Sequence, residues 1–220
     1  MLQLLMLTFL SPGGAEPGDQ AISLLDLMMK GGFIMIPIIL LSLISVYVFI
    51  ERYLYIRKLS RINNNLVTAV LDEIKGGSTD KAMALAKGNQ SSLGRILETG
   101  IENSGKTAAD IERNLETSTG LEITKMEDHT GYLGIIAGIA PMLGFIGTIA
   151  GVIKIFYNIS LADNISIGII SGGLYQKMIC SGTGLIVGVL AYTGYHLLQM
   201  MIDRYTIRLQ ESLFKFIKAF

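Results

Sequence analysis

The stretch that decides the fold is Thr130-Gly-Tyr-Leu-Gly-Ile-Ile-Ala-Gly-Ile-Ala-Pro-Met-Leu-Gly-Phe-Ile-Gly-Thr-Ile-Ala-Gly-Val-Ile153, which is 24 residues without a charged side chain. As a helix it would rise about 36 Å, enough to cross a hydrocarbon core of about 30 Å. Residues 31–50 form a second uncharged run, and residues 164–202 form a third that only Lys177 interrupts. The three runs predict an all-α integral membrane protein with three transmembrane helices.

The third run is too long for a single crossing of the bilayer. Its 39 residues would rise about 58 Å as one helix. Two crossings would need a turn, but Leu174-Tyr-Gln-Lys-Met-Ile-Cys180 contains no proline, asparagine or turn dipeptide. We therefore predict one long third helix that leaves the membrane at one end.

Lysine and arginine are unevenly divided among the segments that join these runs. Eleven lie from Arg52 to Lys125 and four follow Ile202, whereas the link 157–167 has none. Because basic segments stay in the cytoplasm, the count predicts an outward-facing N-terminus and a cytoplasmic C-terminus. The zero net charge of the chain gives no electrostatic reason to expect nucleic acid as a partner.

The predicted organisation has seven segments. They are an outward-facing N-terminal segment with a short interfacial helix over 1–30, the first transmembrane helix over 31–52, a cytoplasmic helical domain over 53–128, the second transmembrane helix over 129–157, a short outer link over 158–165, the long third transmembrane helix over 166–203 and a cytoplasmic tail over 204–220. Residues 1–10 lack a basic start and an Ala-x-Ala site, so a cleaved signal peptide is not favoured.

The cytoplasmic region is predicted to be several helices with breaks at glycine pairs and turns. It contains no Gly-x-x-x-x-Gly-Lys-Ser/Thr loop and no Cys-x-x-Cys, and neither His129 nor His196 has neighbours at metal-ligand spacing. We predict no catalytic, cofactor or metal site and no enzyme activity. No helix breaker lies between Glu122 and Gly131, so the last cytoplasmic helix is expected to run directly into the second span.

Glycines in the second and third spans recur four residues apart, a spacing that lets helix backbones approach closely. The expected helix-packing positions are Gly144, Gly147, Gly151, Gly184 and Gly188. The spacing fits a tight pair of helices within one chain and equally fits a ring of several copies. Pro141 is expected to kink the second span, and Cys180 reads as a small buried apolar residue.

Polar groups inside a membrane span are costly and therefore point to function. Thr148 lies near the middle of the second span, where the simpler interpretation is a hydrogen bond to the carbonyl of Gly144. In the third span Gln176, Lys177 and Ser181 lie close together in the sequence. Lys177 is about a dozen residues from the outer end, so it is expected to face a partner or a wet cavity.

Two of these stretches resemble the MotA/TolQ/ExbB proton channel family. Ala140-Pro-Met-Leu-Gly-Phe-Ile-Gly-Thr-Ile-Ala-Gly151 resembles the family's Ala-Pro-Leu-Leu-Gly-Leu-Leu-Gly-Thr-Val-x-Gly stretch. Ile170-Ser-Gly-Gly-Leu-Tyr-Gln-Lys-Met-Ile-Cys-Ser-Gly-Thr-Gly-Leu185 resembles its Ala-Pro-Gly-Ile-Ala-Glu-Ala-Leu-x-x-Thr-Ala-x-Gly-Leu stretch. The first span, from Lys30 to Leu54, is similar to the ExbB branch of the family.

The resemblance implies a pentamer in the bacterial inner membrane, without a cofactor, surrounded by membrane lipid. Its second and third helices would line a pore that holds an ExbD-like single-span partner with a protonatable Asp. Such a complex energises a TonB-like protein for import across the outer membrane. The implied pore-lining residues are Thr148, Ser181, Gln176 and Lys177. A TolQ-like or MotA-like motor subunit and a non-conducting membrane scaffold are the alternatives.

One position departs from the family pattern. Gln176 falls where many ExbB and TolQ members carry a glutamate, and a glutamine cannot carry a proton. The neighbouring Lys177 is also unusual, because its charge would repel a passing cation or pair with the partner's Asp. Our hypothesis is that the proton-carrying carboxylate comes wholly from the partner, while Thr148 and Ser181 supply hydroxyl groups.

Overall fold

The computed structural model describes residues 33–60, 64–161 and 167–218. Within these ranges the chain forms helices and no strand. They are α1 (Met35–Leu59), α2 (Asn64–Lys75), α3 (Thr79–Gly88), α4 (Ser92–Glu102), α5 (Ala108–Glu127), α6 (Thr130–Leu161) and α7 (Ile167–Ile217). The interfacial helix predicted within 1–30 and residues 162–165 of the predicted outer link lie outside the described residues. Residues 158–161 of that link belong to α6.

Three of these helices are long and apolar enough to cross a membrane. They are α1, α6 and the part of α7 from Ile170 onward. The prediction of an all-α membrane protein with three such helices is therefore confirmed. These helices pack against one another, and α2 to α5 lie beside the ends of α1 and α7.

Helix α7 is one continuous helix of 51 residues, about 76 Å long. It passes through Lys177 without a break, as the sequence predicts, and it continues to Ile217 rather than ending near residue 203. Its final turns bury Tyr205, Leu209 and Phe216 at helical spacing. Those side chains supply one wall of the core formed with α2 to α5, which explains why the helix continues to Ile217.

The junction between α5 and α6 corrects a sequence-based expectation. Helix α5 does not run straight into the second span, because it ends at Glu127 and His129 adopts a left-handed backbone with φ of 63°. Arg52 Nη2 lies 2.7 Å from His129 Nδ1, and Arg52 Nη1 donates to the carbonyl of Lys125 at 3.4 Å. The break is therefore held by a tertiary contact rather than by a glycine or a proline.

Helices α2 to α5 and the ends of α1 and α7 close over one apolar core. Ser91 caps the start of α4 by accepting the N–H of Gly94, and Thr107 caps α5 by accepting the N–H of Asp110. At Gly100 a Cβ atom would lie 2.8 Å from the ring of Phe216, so the glycine makes room for that ring. The core includes Leu66, Val67, Val70, Leu93, Ile96, Leu97, Ile101, Ile111, Leu115, Leu209, Leu213 and Phe216.

Candidate functional site

Helices α6 and α7 run antiparallel along a seam lined by glycines. A Cβ atom on Gly144 would lie 3.0 Å from Cα of Ser181, and one on Gly184 would lie 2.6 Å from the carbonyl oxygen of Ala140. Both neighbours are backbone atoms and cannot move aside cheaply. These two glycines therefore set how closely the helices approach within one chain.

The remaining expected packing positions also lie in this seam. Gly188 faces the ring of Pro141, where a Cβ would come within 2.5 Å of Cγ, and Gly147 faces Cys180 and Ile34. Pro141 lies inside α6 without ending the helix. Cys180 is fully buried, as a small apolar packing residue would be. The seam thus accounts for the expected packing glycines within a single chain, whereas Gly138 and Gly172 face open space.

Thr148 and Ser181 are both half-buried and lie close to the seam. Ser181 opposes Gly144, and Thr148 follows Gly144 by one helical turn. The Thr148 hydroxyl donates to the carbonyl of Phe145 at 2.6 Å. The expected hydrogen bond to Gly144 is wrong, because the hydroxyl bonds three residues back rather than four. Because the hydroxyl donates its proton there, it has only its acceptor lone pairs to offer another group.

Lys177 packs its side chain across the seam onto Gly151. The Cγ, Cδ and Cε atoms of the lysine occupy the space that a Cβ at residue 151 would fill. The absence of a side chain at Gly151 is thus what accommodates the lysine stem, and the lysine is half-buried as a result. The backbone of Gln176 is helical, and its side-chain position lies outside what the structure describes.

The seam also fixes the level of Lys177 along α6. Lys177 lies beside Gly151, which precedes Lys154 by three residues, or about 4.5 Å along the helix. Helix α6 continues beyond this level to Leu161.

The outward faces of α6 and α7 are broadly apolar. Exposed large residues are Ile135, Ile139, Met142, Phe145, Ile146, Ile149, Ile153 and Phe156 on α6, and Met178, Leu185, Ile186, Val189 and Leu190 on α7. Such faces suit lipid tails or further protein helices. Neither helix carries an aspartate or glutamate before Asp203, so these spans offer no carboxylate to carry a proton.

A family model for the MotA/TolQ/ExbB proton channel family matches residues 88–211, which include α4 to α6 and most of α7. This chain belongs to the MotA/TolQ/ExbB proton channel family. The match contains the whole α6–α7 seam. The family is one of membrane channels rather than enzymes. Among the described residues, no group of three or more His, Cys, Asp and Glu side chains is arranged to hold a metal.

Several curated relatives carry ExbB names. A putative biopolymer transport protein ExbB-like 3 of Synechocystis is 24% identical over 163 residues, which is 73% of this chain and 78% of that protein. A putative ExbB homolog of Methanothermobacter thermautotrophicus is 26% identical over 185 residues, 82% of this chain and 64% of that protein. The biopolymer transport protein ExbB of Salmonella typhimurium is 24% identical over 188 residues, which is 82% of this chain and 76% of that protein.

One polar cluster between α4 and α5 of this MotA/TolQ/ExbB member was missed by sequence reasoning. The Glu122 carboxylate is only 4% exposed and accepts hydrogen bonds from Arg95 Nε at 2.9 Å and Lys125 Nζ at 2.7 Å. Burial alone would raise the pKa of Glu122, but the hydrogen bonds from Arg95 and Lys125 outweigh it and lower the pKa. The hydrogen bond between Arg95 and Glu122 also raises the pKa of Arg95. Only the Glu122–Lys125 spacing on one helix hinted at this cluster.

Proposed function

We propose that this chain is the channel-forming subunit of an ExbB-like motor that uses the proton-motive force to energise TonB-dependent import across the outer membrane. The observation that carries the proposal is the α6–α7 seam within a proton channel family. The seam holds Ser181 against Gly144 and leaves Thr148 one turn away. Two hydroxyl groups thus lie near one level of the span.

The proton carrier in this proposal is a carboxyl group of the partner. The spans of α6 and α7 contain no acid, so a protonatable Asp on an ExbD-like single-span partner would have to bind and release the proton. The neutral acid would be hydrogen-bonded by Thr148 and Ser181, and the ionised acid would be attracted to Lys177. One charge crossing about 150 mV releases about 3.5 kcal/mol, enough to bias a two-state movement of the partner.

The assembly we propose is a pentamer in the bacterial inner membrane. The broad apolar faces of α6 and α7 would contact neighbouring copies, the partner helices and lipid. In this arrangement Thr148, Ser181, Gln176 and Lys177 line the pore. The excess of lysine and arginine between Arg52 and Lys125 supports a periplasmic N-terminus and a cytoplasmic C-terminus.

The test begins with co-expression of the chain with an ExbD-like single-span partner and native mass measurement. A pentamer that retains the partner supports the motor, and a lone monomer or dimer that ignores the partner overturns it. Proton uptake by proteoliposomes follows, comparing Thr148→Val with Thr193→Val. Thr193 is exposed and bonds its own helix at the carbonyl of Val189, so its replacement should leave uptake unchanged, while Thr148→Val should lower it about tenfold or more.

A non-conducting scaffold is the second candidate, and Gln176 is the observation that favours it. A pentamer that binds the partner but takes up no protons would establish the scaffold. Gain of uptake only after Gln176→Glu would contradict our hypothesis that the partner supplies the whole carrier. A TolQ-like or MotA-like role predicts proton uptake as well, and differs in that a TonB-like protein would not be bound.

A further inference from the structure

A basic cleft lies on the cytoplasmic side of the molecule, away from the α6–α7 seam. It has a volume of about 610 Å³ and is bounded by α1, α3, α4 and α5. Four cationic side chains line it, namely Lys58, Lys87, Arg95 and Lys125. The cleft is thus built where the end of the first span meets three helices of the cytoplasmic domain.

The acids near these cations are too few to neutralise them. Glu122 is buried beneath Arg95 and Lys125 and bonds to both, and Glu98 lies 3.4 Å from Lys87. Four positive groups therefore face two carboxylates. No ion pair among the described residues involves Lys58, which is exposed.

Lys87 and Lys125 keep ammonium donors for a ligand. Arg95 donates to Glu122, to Ser92 Oγ and to the carbonyl of Gln90, and keeps one N–H. The side chains of Lys87 and Lys125 are each 58% exposed and that of Arg95 is 40% exposed. The Glu122 carboxylate holds Arg95 in place from the buried side, which fixes the orientation of the guanidinium group. A planar guanidinium with ammonium groups beside it is the donor set that proteins use for phosphate.

The position of the cleft along α1 indicates which kind of anion can bind in it. Glu51 is the first charge after the apolar run of α1, and Tyr55 and Lys58 follow it by about 6 and 10 Å along the helix. The headgroup layer of a bilayer is about 5–8 Å thick on each side. Tyr55 therefore lies at headgroup depth and Lys58 at the edge of that layer. Leu59 supplies an apolar wall beside them.

We propose that this cleft binds the headgroup of an anionic phospholipid from the adjacent leaflet. The lipid phosphate would accept hydrogen bonds from Arg95 and Lys125 and would be attracted to Lys58, while the glycerol backbone lies against Tyr55 and Leu59. Basic pockets beside membrane helices are the usual binding sites for acidic headgroups. This site is separate from proton conduction, so it stands or falls independently of the channel proposal.

The test uses the assembled full-length protein released from mixed bilayers of phosphatidylglycerol and phosphatidylcholine. Native mass spectrometry should find phosphatidylglycerol, and not phosphatidylcholine, retained by the wild-type protein. Lys58→Glu should lower that retention about tenfold, because a single charge reversal near an acidic lipid changes affinity by roughly this factor. The matched control is Lys106→Glu, an exposed lysine between α4 and α5 that lies outside the cleft.

Three outcomes would overturn the proposal. Equal retention by Lys58→Glu and Lys106→Glu would show that the lipid does not occupy the cleft. Displacement of the lipid by an excess of glycerol phosphate would indicate a site for free phosphate compounds. Protection of Lys58 from acetylation by an acidic peptide, but not by phosphatidylglycerol, would assign the cleft to a protein partner. If Lys58→Glu fails to assemble, Lys58→Gln applies the same test with a smaller expected loss.

Discussion

The guanidinium of Arg52 lies 2.7 Å from Nδ1 of His129, at the point where α5 ends and α6 begins. Arg52 is buried, and its other amino group bonds to the carbonyl of Lys125. His129 has a φ of 63°, a conformation that costs an ordinary residue about 1 kcal/mol or more. The contact therefore holds a strained junction between α5 and the second membrane helix α6.

The first prediction concerns the backbone at this junction. His129→Gly should be nearly neutral for the free energy of unfolding, because relief of about 1 kcal/mol of strain offsets a lost hydrogen bond of similar value. His129→Val should cost about 2 kcal/mol or more, because a branched side chain fits a positive φ poorly. Thermal unfolding in detergent measures both. His196→Gly is the control, since glycine inside α7 should cost about 1 kcal/mol; equal losses at 129 and 196 would contradict the strain argument.

The second prediction is a pH dependence set by Glu122. Because the folded state lowers the pKa of this carboxyl below its usual value of 4.5, its contribution to stability is complete above pH 4.5. That contribution is lost as the pH falls through the lower folded pKa. Glu122→Gln should remove the part of the stability loss at low pH that comes from Glu122. It should also destabilise the protein at neutral pH by about 1–3 kcal/mol.

The control for the pH prediction is Glu116→Gln, which changes an exposed glutamate on the same helix. It should keep the wild-type pH dependence and stability. Unfolding free energies measured from pH 7 down to pH 3 separate the variants. If Glu122→Gln and wild type lose stability in parallel as the pH falls, the carboxylate cluster is not responsible for the acid sensitivity.

Sequence reasoning predicted the parts of the fold that follow from long, uniform signals. The uncharged run from Thr130 to Ile153 is long enough that little other than a membrane helix fits it, and the lack of a turn signal near Lys177 predicted a continuous α7. The helix break at His129 could not be predicted, because it depends on Arg52, a residue 77 positions away in the chain. Neither residue is a helix breaker by itself.

The site was predicted less completely than the fold. The glycine spacing correctly indicated close helix approach, but the spacing alone cannot tell a packed glycine from an open one. Gly182 and Gly184 are two residues apart on α7. A Cβ atom added at Gly182 would have no neighbouring atom within 4 Å, whereas one added at Gly184 would contact a backbone oxygen. The contact between Lys177 and Gly151 could not be predicted from spacing either, because it follows from the antiparallel register of α6 and α7.

The third prediction compares Gly184 with Gly182, two residues before it on α7. Gly184→Ala should destabilise the α6–α7 pair by about 1–3 kcal/mol, because its Cβ would lie 2.6 Å from the carbonyl oxygen of Ala140. Gly182→Ala should be neutral or stabilising by up to about 1 kcal/mol, since alanine favours a helix and the space is open. Thermal unfolding of each variant in the same detergent gives the comparison. Similar effects at both positions would mean that the seam does not limit helix approach.

The fourth prediction tests the contact between Lys177 and Gly151 directly. Gly151→Ala inserts a Cβ where the lysine stem lies, so it should force the side chain to move and cost about 1–2 kcal/mol of stability. Lys177→Ala removes the stem and should make Gly151→Ala nearly harmless. The double-mutant cycle should therefore give a coupling of about 1 kcal/mol or more between the two positions.

A matched cycle between Gly151 and Lys154 serves as the control for that coupling. Lys154 is exposed, and its side chain is not among the atoms nearest to the space above Gly151. Lys154→Ala should therefore leave the cost of Gly151→Ala unchanged, with a coupling below about 0.5 kcal/mol. If both cycles give the same coupling, Lys177 does not occupy the space at Gly151. The level of Lys177 beside Gly151 on α6 would then be unsupported.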